Sequence, residues 1–399
     1  MPSNPETKDI IIPPYSPWWH FDEPKVTAFD TSHGPALAEY HGKLYMAWKG
    51  KSDENIYYSA GTTSSLGVLK WSNQIQVPDT KTSNGPALIV FGGRLCMVWK
   101  AAGSDQTIWY SEVDPFYVTL PGKIQQENYL HWNKPKQISG MMSSYRPALA
   151  VYGDKLFMAW KGKGNEHQLW FRTATAKTMN NFPLIRKLDW TEQSRVFPTD
   201  SGMGSTHGPA LAVVDNKLIM VWKGKITGQT DDPKIWFSKY DGKNPDKPWL
   251  TTDIDKNQVL QIETYGYRYA NKNSGAKSSS HAPALAFYDT DGLAKQKGKG
   301  HSDVHGLIMI GKKSGNNKLW LSEFTGELDK AVSCSGWCEV GSGDLGTEEI
   351  RAEDIACCSS DTPAAFYLKH KMYIAYKGSA NDTRIWFTRM EIKTAFSPL

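Results

Sequence analysis

One pattern of residues occurs six times along this sequence, and the repetition limits the fold more than any other feature. Each copy begins with Pro and small or apolar residues, passes a tight turn, and continues into an apolar strand with Lys at its end. A polar loop and a second, aromatic-rich strand follow. The copies start at Pro35, Pro86, Pro147, Pro209, Pro283 and Pro363. Because a unit of this size cannot bury its apolar surface alone, the six units must pack against one another.

Within each copy, the residue pattern predicts β-strands joined by hairpins. In the first copy, two aromatic-rich runs occupy residues 44–49 and 56–59, and His41 and Gly42 mark the turn before them. Short apolar runs separated by Gly, Asn or Asp are typical of strands and tight turns. No stretch shows sustained helical spacing of apolar residues. The sequence therefore predicts an all-β protein.

The position of a fourth, Trp-containing segment predicts how the repeats close. Such a segment follows each of the first five copies but not the sixth, whereas Trp18 and Trp19 precede the first copy. A ring explains both facts if the N-terminal segment supplies the outer strand of the last blade, which removes exposed sheet edges. We therefore predict a six-bladed β-propeller of four-stranded blades over residues 18–390, with an N-terminal arm (1–17) and a C-terminal tail (391–399).

Charge and hydropathy exclude several partners. The net charge is +5, but Lys and Arg are scattered and form no basic helix or basic-aromatic motif, so we predict no nucleic-acid partner. No apolar stretch reaches membrane-spanning length. Because the N-terminus lacks a basic and then apolar region, we expect a protein that is cytoplasmic or released without a classical signal peptide. The sequence does not predict the oligomeric state.

Two departures from the repeat leave alternatives open. Four of the five cysteines cluster late in the chain, at Cys334, Cys338, Cys357 and Cys358. They could form a disulfide-stapled loop, remain free thiols, or bind a metal, although their spacing is unlike that of paired zinc ligands. In the fifth copy, Gly311 replaces the usual strand-end Trp, which predicts either a loosely packed blade or a ligand pocket.

A first set of candidate site residues repeats in every blade. The lysines are Lys49, Lys100, Lys161, Lys223, Lys312 and Lys377, and the aromatic residues before them are Trp48, Trp99, Trp160, Trp222 and Tyr376. Each lysine could pin the following loop through a contact to an acid or a carbonyl. Alternatively, cation and ring could together recognise sugar hydroxyls and the apolar face of a sugar.

A second set lies at equivalent positions but differs between blades. Two residues before each Pro are His33, Asn84, Tyr145, His207, His281 and Asp361, and Arg146 directly precedes Pro147. Because inner strands line the channel of a propeller, these side chains should surround its mouth. His33, Tyr145, Arg146, His207, His281 and Asp361 could form an acid–base active site. We predict no cofactor, with His207 and His281 as an alternative pair of metal ligands. Common enzyme motifs, such as Gly-x-Ser-x-Gly and His-Glu-x-x-His, are absent.

The repeated elements resemble those of β-propeller lectins, especially tectonin-like proteins and the six-bladed fucose lectins, over roughly residues 18–390. The resemblance implies a protein that binds glycans without cleaving them. We therefore predict a multivalent lectin, not an enzyme, with repeated shallow sites on one rim built from the repeated lysines and aromatic residues. The alternative is an enzyme with one active site at the channel mouth, acting on a glycan or a small hydrophobic molecule with or without a metal.

Overall fold

Six small β-sheets follow one another in the computed structural model, one for each copy of the sequence repeat. The structure describes residues 18–22, 24–63, 69–114, 128–178, 186–198, 203–226, 234–244, 248–250, 260–261, 263–264, 279–289, 305–313, 315, 317–325, 333–334, 338–339, 343–344 and 357–393. The arm predicted for residues 1–17 and most of the tail lie outside them. These described segments contain no helix long and apolar enough to cross a membrane.

The strands account for nearly all regular structure in the described residues. In chain order they are β1 Trp18–Phe21, β2 Lys25–Asp30, β3 Ala36–Tyr40, β4 Lys43–Lys49, β5 Ile56–Thr63, β6 Leu69–Trp71, β7 Ile75–Gln76, β8 Ala87–Phe91, β9 Arg94–Lys100, β10 Thr107–Glu112, β11 Lys136–Met142, β12 Ala148–Tyr152, β13 Lys155–Lys161, β14 Leu169–Thr178, β15 Arg186–Trp190, β16 Ser194–Arg195, β17 Met203–Ser205, β18 Ala210–Val214, β19 Lys217–Ile226, β20 Ile235–Tyr240, β21 Trp249–Leu250, β22 Leu260–Gln261, β23 Glu263–Thr264, β24 Ala284–Asp289, β25 His305–Lys312, β26 Leu319–Thr325, β27 Ser333–Cys334, β28 Cys338–Glu339, β29 Gly343–Asp344, β30 Ala364–Leu368, β31 Lys371–Lys377 and β32 Arg384–Lys393.

Each blade is built around the hairpin that the repeat encodes. In the first blade, β3 and β4 pair antiparallel with Tyr40 opposite Lys43, and β5 and β6 continue outward from the channel. His41 and Gly42 form the turn with φ values of 49° and 76°. This left-handed conformation explains why Gly or another tolerant turn residue is needed there.

The ring closes as the sequence predicts. In the last sheet, β1 pairs with β32, with Trp18 opposite Lys393 and Phe21 opposite Met390. The inner strands β3, β8, β12, β18, β24 and β30 each adjoin the next, and β30 adjoins β3. The predicted six-bladed propeller, closed by the N-terminal strand, is therefore confirmed.

Apolar side chains fill every interface between neighbouring blades. Six buried clusters, one for each interface, are present in the described residues. Between the first two blades, for example, Ala47 and Tyr58 pack with Met97 and Trp99. Burial of these side chains drives the blades together, at about 25 cal/mol per Å² of apolar surface removed from water.

Around Gly311, the described residues show neither the loose packing nor the pocket expected from the sequence. Gly311 lies opposite Trp320 on the adjacent strand. A Cβ on Gly311 would lie 2.2 Å from the Trp320 ring, and Trp320 is only 1% exposed. In this blade the Trp320 ring lies against Gly311 and fills the space that a strand-end Trp would need, so both alternatives are wrong.

Candidate active site

Six side chains of four residue types surround one end of the channel, each just before an inner strand. They are His33, Asn84, Tyr145, His207, His281 and Asp361, called the mouth ring below. Below them, a cavity of about 160 Å³ extends into the channel. At roughly 10–15 Å³ for each water, this is room for about 11 to 16 of them. Asn84, Tyr145, Arg146, His207 and Asp361 line the cavity, whereas His33 and His281 stand on the rim beside it.

Two hydroxyl residues precede each member of the mouth ring, and the first of the two bonds to the backbone of that member. They are Thr31 and Ser32, Thr82 and Ser83, Ser143 and Ser144, Ser205 and Thr206, Ser279 and Ser280, and Ser359 and Ser360. In the first pair, Thr31 Oγ1 accepts a hydrogen bond from the His33 amide at 3.1 Å and lies 2.8 Å from the Lys49 carbonyl oxygen. Our sequence analysis missed these residues, although Ser or Thr occurs three and four positions before Pro in all six copies.

The repeated lysines are buried and bonded within their own blades. Lys49 Nζ donates to Ser32 Oγ at 2.9 Å, to the Gly50 carbonyl at 3.1 Å and to the Asp53 carbonyl at 2.7 Å. These contacts use all three of its N–H donors. The six lysines are 2–8% exposed, and the aromatic residues before them are 0–2% exposed. The geometry thus favours loop pinning over ligand contact for this set.

The loop acids hold the aromatic residues of the next strand. Asp53 Oδ2 accepts from the Tyr57 hydroxyl at 3.0 Å, and Glu166 Oε1 accepts from Trp170 Nε1 at 2.8 Å. A Cβ on Gly50 would lie 2.3 Å from Asp53 Oδ1. This close approach explains why Gly follows Trp-Lys in several copies of the repeat.

Comparison of the blades indicates which nitrogen of His33 carries the proton. In the three blades without histidine, the second hydroxyl donates to the carbonyl of the residue after the lysine, at 2.9–3.0 Å. Ser32 keeps this bond to Gly50, at 3.2 Å, so its oxygen accepts from His33 Nδ1 at 3.0 Å. His207 and His281 have the same 3.0 Å contact to Thr206 and Ser280. For His33 we therefore assign the proton to Nδ1 and the lone pair to Nε2.

Arg146 crosses the channel from the third blade to the first and sixth. Its Nη1 donates to the Pro35 carbonyl at 2.9 Å and the Gly34 carbonyl at 3.4 Å, and its Nη2 donates to the Pro363 carbonyl at 3.3 Å. Protein surrounds the guanidinium, although water in the channel still reaches part of the residue. Sequence reasoning placed Arg146 near the mouth, but only the structure shows this reach.

The channel is narrow at this level because the blades approach closely. A Cβ on Gly34 would lie 1.9 Å from the Thr362 carbonyl oxygen, and one on Gly85 would lie 2.3 Å from the Gly34 carbonyl oxygen. Any larger side chain at these positions would push backbone away from backbone. The small residues before Pro therefore allow the inner strands to converge on Arg146.

Three aromatic rings stand in a row along one side of the mouth. The ring centroids of Tyr145 and His207 are 4.9 Å apart, and those of His207 and His281 are 5.1 Å apart. Across the mouth, Asp361 accepts hydrogen bonds from the amides of Gly34 at 3.0 Å and Thr362 at 2.6 Å. These bonds fix the carboxylate on the opposite side of the cavity from Tyr145.

Burial sets the protonation of several ring residues. It lowers the pKa of His33 and His281 below the usual 6.5, while the Asp361 carboxylate acts in the opposite direction. Burial also raises the pKa of Tyr145 above 10, with a further contribution from Asp361. The imidazoles of His33 and His281 are therefore neutral at neutral pH, and the phenol of Tyr145 keeps its proton.

The alternative metal site lacks further ligands among the described residues. There, no three His, Cys, Asp or Glu side chains are grouped closely enough to hold an ion, so His207 and His281 stand as a pair. Cys96, Cys357 and Cys358 carry thiols rather than disulfides. The side chains of Cys334 and Cys338 lie outside the described part of the structure.

The fold is similar to that of solved propeller enzymes. One is a mutant of the α-L-arabinofuranosidase Arb93A from Fusarium graminearum, bound to an iminosugar inhibitor: identity is 12%, the TM-score is 0.57, and 93% of this chain and 98% of that chain are covered. Another is the α-L-arabinanase of Penicillium chrysogenum, complexed with arabinobiose: identity is 11%, the TM-score is 0.55, and 95% and 99% are covered. No protein-family model matches the chain, and no curated protein matches it either.

These findings correct the function predicted from the sequence. The resemblance to propellers is confirmed at the level of fold, but the similar structures are sugar-cleaving enzymes rather than lectins. In addition, the repeated lysines and aromatic residues are buried within the blades instead of forming shallow sites. The prediction of a multivalent lectin, and with it the expectation that the chain is not an enzyme, is therefore wrong. At 11–12% identity, the similarity by itself shows only the fold.

Proposed function

We propose that this chain is an enzyme that cleaves glycans at a single active site in the channel mouth. The observation that carries the proposal is the convergence of His207, Tyr145, Arg146 and Asp361 on one cavity. None of these residues is repeated around the whole ring. A fold can serve many functions, so the proposed function rests on this site, and the sugar-cleaving enzymes of similar fold support it.

His207 is the proposed general base. Its Nδ1 is held by Thr206, whose hydroxyl accepts a hydrogen bond from Lys223 Nζ at 3.0 Å. These bonds orient the imidazole, and the proposed tautomer carries its proton on Nδ1, which places the basic lone pair on Nε2. An imidazole is a suitable base near neutral pH, and such a group typically contributes about 10²- to 10⁴-fold to a rate.

Tyr145 is the proposed proton donor to the leaving group. Its ring adjoins His207, and burial raises the pKa of the phenol, so the hydroxyl is protonated when substrate binds. Asp361 lies across the cavity, held by two backbone amides. The Pro-Ala-Leu segments of the inner strands supply apolar walls against which the C–H faces of a sugar can pack.

The test is a screen of the purified chain against neutral and acidic polysaccharides, with new reducing ends as the readout. Cleavage that is lost in the His207→Asn variant supports the proposal. Asn is a suitable replacement because Asn84 occupies the equivalent position in the second blade. Cleavage that persists at the wild-type rate in this variant would show that the site lies elsewhere.

A further inference from the structure

We propose that the cavity takes a glycan bearing a carboxylate, a uronate, and cleaves it by β-elimination rather than by hydrolysis. This inference rests on the proposed function, because it names the substrate class and the reaction of the same site. Two observations carry it: the number of carboxylates that line the cavity, and the charge and position of Arg146.

The first observation is the small number of carboxylates. Hydrolysis of a glycosidic bond commonly uses two Asp or Glu residues about 5–9.5 Å apart, one as acid and the other as nucleophile or base. Among the described residues that line the cavity, Asp361 is the one carboxylate. It already accepts hydrogen bonds from the amides of Gly34 and Thr362. The described cavity thus lacks the usual pair for hydrolysis, whereas an imidazole and a phenol are suited to proton transfer.

The second observation is a buried cation bonded to neutral partners. All the hydrogen bonds of Arg146 in the described structure go to carbonyl oxygens, those of Gly34, Pro35 and Pro363. These bonds use three of the five N–H donors of a guanidinium, which keeps its charge in proteins. A carboxylate bound in the cavity would give Arg146 an anionic hydrogen-bond partner, and its described hydrogen-bond partners are all neutral. Arginine is well suited to that role because it can bind a carboxylate through two parallel hydrogen bonds.

Six further positive charges lie just behind the mouth ring. Each buried lysine holds a hydroxyl next to a ring residue; Lys49 with Ser32 and Lys377 with Ser360 are examples. The loop acids that face these lysines, such as Asp53 and Asp105, lie on the exposed side of the loops. Within the described part of the cavity lining, Asp361 alone opposes the surrounding cations. The resulting field favours an anionic substrate.

The chemistry follows from placing the substrate carboxylate against Arg146. His207 Nε2 takes the proton from the carbon next to the carboxylate, and the C–H electron pair forms a double bond to the neighbouring carbon. The C–O bond from that carbon to the leaving sugar breaks, and the Tyr145 hydroxyl protonates the leaving oxygen. Arg146 stabilises the negative charge that develops on the carboxylate.

After cleavage, His207 carries an extra proton and Tyr145 lacks one. Because their rings are adjacent, transfer of this proton from imidazolium to phenolate restores both groups. The products are a sugar with a free hydroxyl and an unsaturated uronate. Atoms and charges therefore balance without water or any other reactant.

The experiment uses the full chain with three substrates: polygalacturonate, its methyl ester and neutral arabinan. Two signals are followed together, new reducing ends and the ultraviolet absorbance of the conjugated double bond. We expect both signals to rise in parallel on the free acid, with weaker cleavage of the ester and none of arabinan. Reducing ends that appear without ultraviolet absorbance would overturn the elimination while leaving the proposed glycan cleavage intact. No cleavage of any of the three would overturn both.

Two variants test the assigned roles. Arg146→Lys keeps the charge but loses the planar pair of donors, and we expect KM for the acid to rise about ten- to hundredfold, the equivalent of one charge-assisted hydrogen bond. Tyr145→Phe should lower kcat about 10²- to 10⁴-fold with little change in KM. If Arg146→Lys fails to fold, Tyr145→Phe still tests the proposed elimination. An unchanged kcat in that variant would overturn the role of the phenol and with it the elimination.

Discussion

The six repeated lysines and their hydroxyl partners, called the lysine layer, lie beside the mouth ring in every blade. The lysine layer is the same in all blades, whereas the mouth ring differs between them. In the layer, one lysine and a pair of hydroxyl residues recur in all six blades, and the lysine bonds to one of the hydroxyls beside buried aromatic rings. In the ring, the equivalent position is filled by four different residue types. The contrast shows that in this propeller repetition marks what builds each blade, whereas divergence marks the candidate active site.

The largest effect should come from the mouth ring and leave stability unchanged. We expect His207→Asn to lower kcat for glycan cleavage about 10²- to 10⁴-fold, because it removes the base from the cavity. Its melting temperature should stay close to that of the wild type. His41→Asn is the matched control, since His41 is exposed in a turn at the far end of β3 and tolerates Asn at its positive φ. Equal losses of kcat in the two variants would contradict the assignment of catalysis to the mouth ring.

The lysine layer should respond in the opposite way. Lys161 is 2% exposed and donates to Ser144 Oγ and to the carbonyls of Gly162 and Gly164. Because Lys161→Met leaves these buried acceptors without their donor, we expect a loss of about 3 kcal/mol or more in the free energy of unfolding.

Chemical denaturation measures this loss, and Lys163→Met is the control because Lys163 is exposed in the same loop. The control should change the free energy of unfolding by less than about 0.5 kcal/mol. Similar values for both variants would show that the buried lysine does not stabilise the blade.

The sequence alone predicts part of this structure and misses another part. The spacing of Pro, Trp and Lys predicts the six blades, and the Trp missing after the sixth copy predicts closure by Trp18 and Trp19. The sequence could not predict whether the lysine side chains are buried in the blade or exposed to solvent, because the spacing of the lysines is the same in both cases. The hydroxyl pairs could have been found, since they repeat in all six copies.

Arg146 and Trp320 show what local sequence cannot encode. The span of Arg146 across the channel depends on how closely Gly34, Gly85 and Gly208 let the inner strands approach, which is a property of the closed ring. The indole of Trp320 replaces one that the repeat places on the neighbouring strand. Both depend on contacts between strands, and a single copy of the repeat contains neither.

The exchanged indole of the fifth blade offers a smaller effect that sharpens the comparison. Gly311→Ala would place a Cβ against the Trp320 ring, so we expect a loss of about 1–3 kcal/mol in the free energy of unfolding. The double variant Gly311→Trp with Trp320→Leu moves the buried indole to the strand-end position and should recover part of this loss. Chemical denaturation of the wild type and the two variants measures the free energy of unfolding. An unchanged value for Gly311→Ala would show that the blade has unfilled space beside Gly311.

The smallest effect concerns pH. Because burial lowers the pKa of His33 and His281 in the folded chain, the unfolded chain binds more protons just below pH 6.5. Stability should therefore be full above about pH 6.5 and fall as the pH drops through the lower folded pKa values. The charged groups that act on the two histidines are Asp361, Lys49, Arg146, Lys377, Lys312 and Lys223.

Melting temperatures between pH 7.5 and pH 4.5, a range of about 3 units around the usual histidine pKa, measure this effect. The double variant His33→Asn, His281→Asn should show a shallower decline than the wild type. A decline equally steep in both would assign the pH dependence to other groups.

The most direct test of the division between layer and ring is a crystal structure of the His207→Asn variant soaked with a mixture of acidic and neutral oligosaccharides. The account predicts one sugar chain in the channel mouth, beside Tyr145, with its carboxylate against Arg146 and no sugar at the six lysines. Sugar bound at equivalent positions around the rim, next to the repeated lysines, would contradict it.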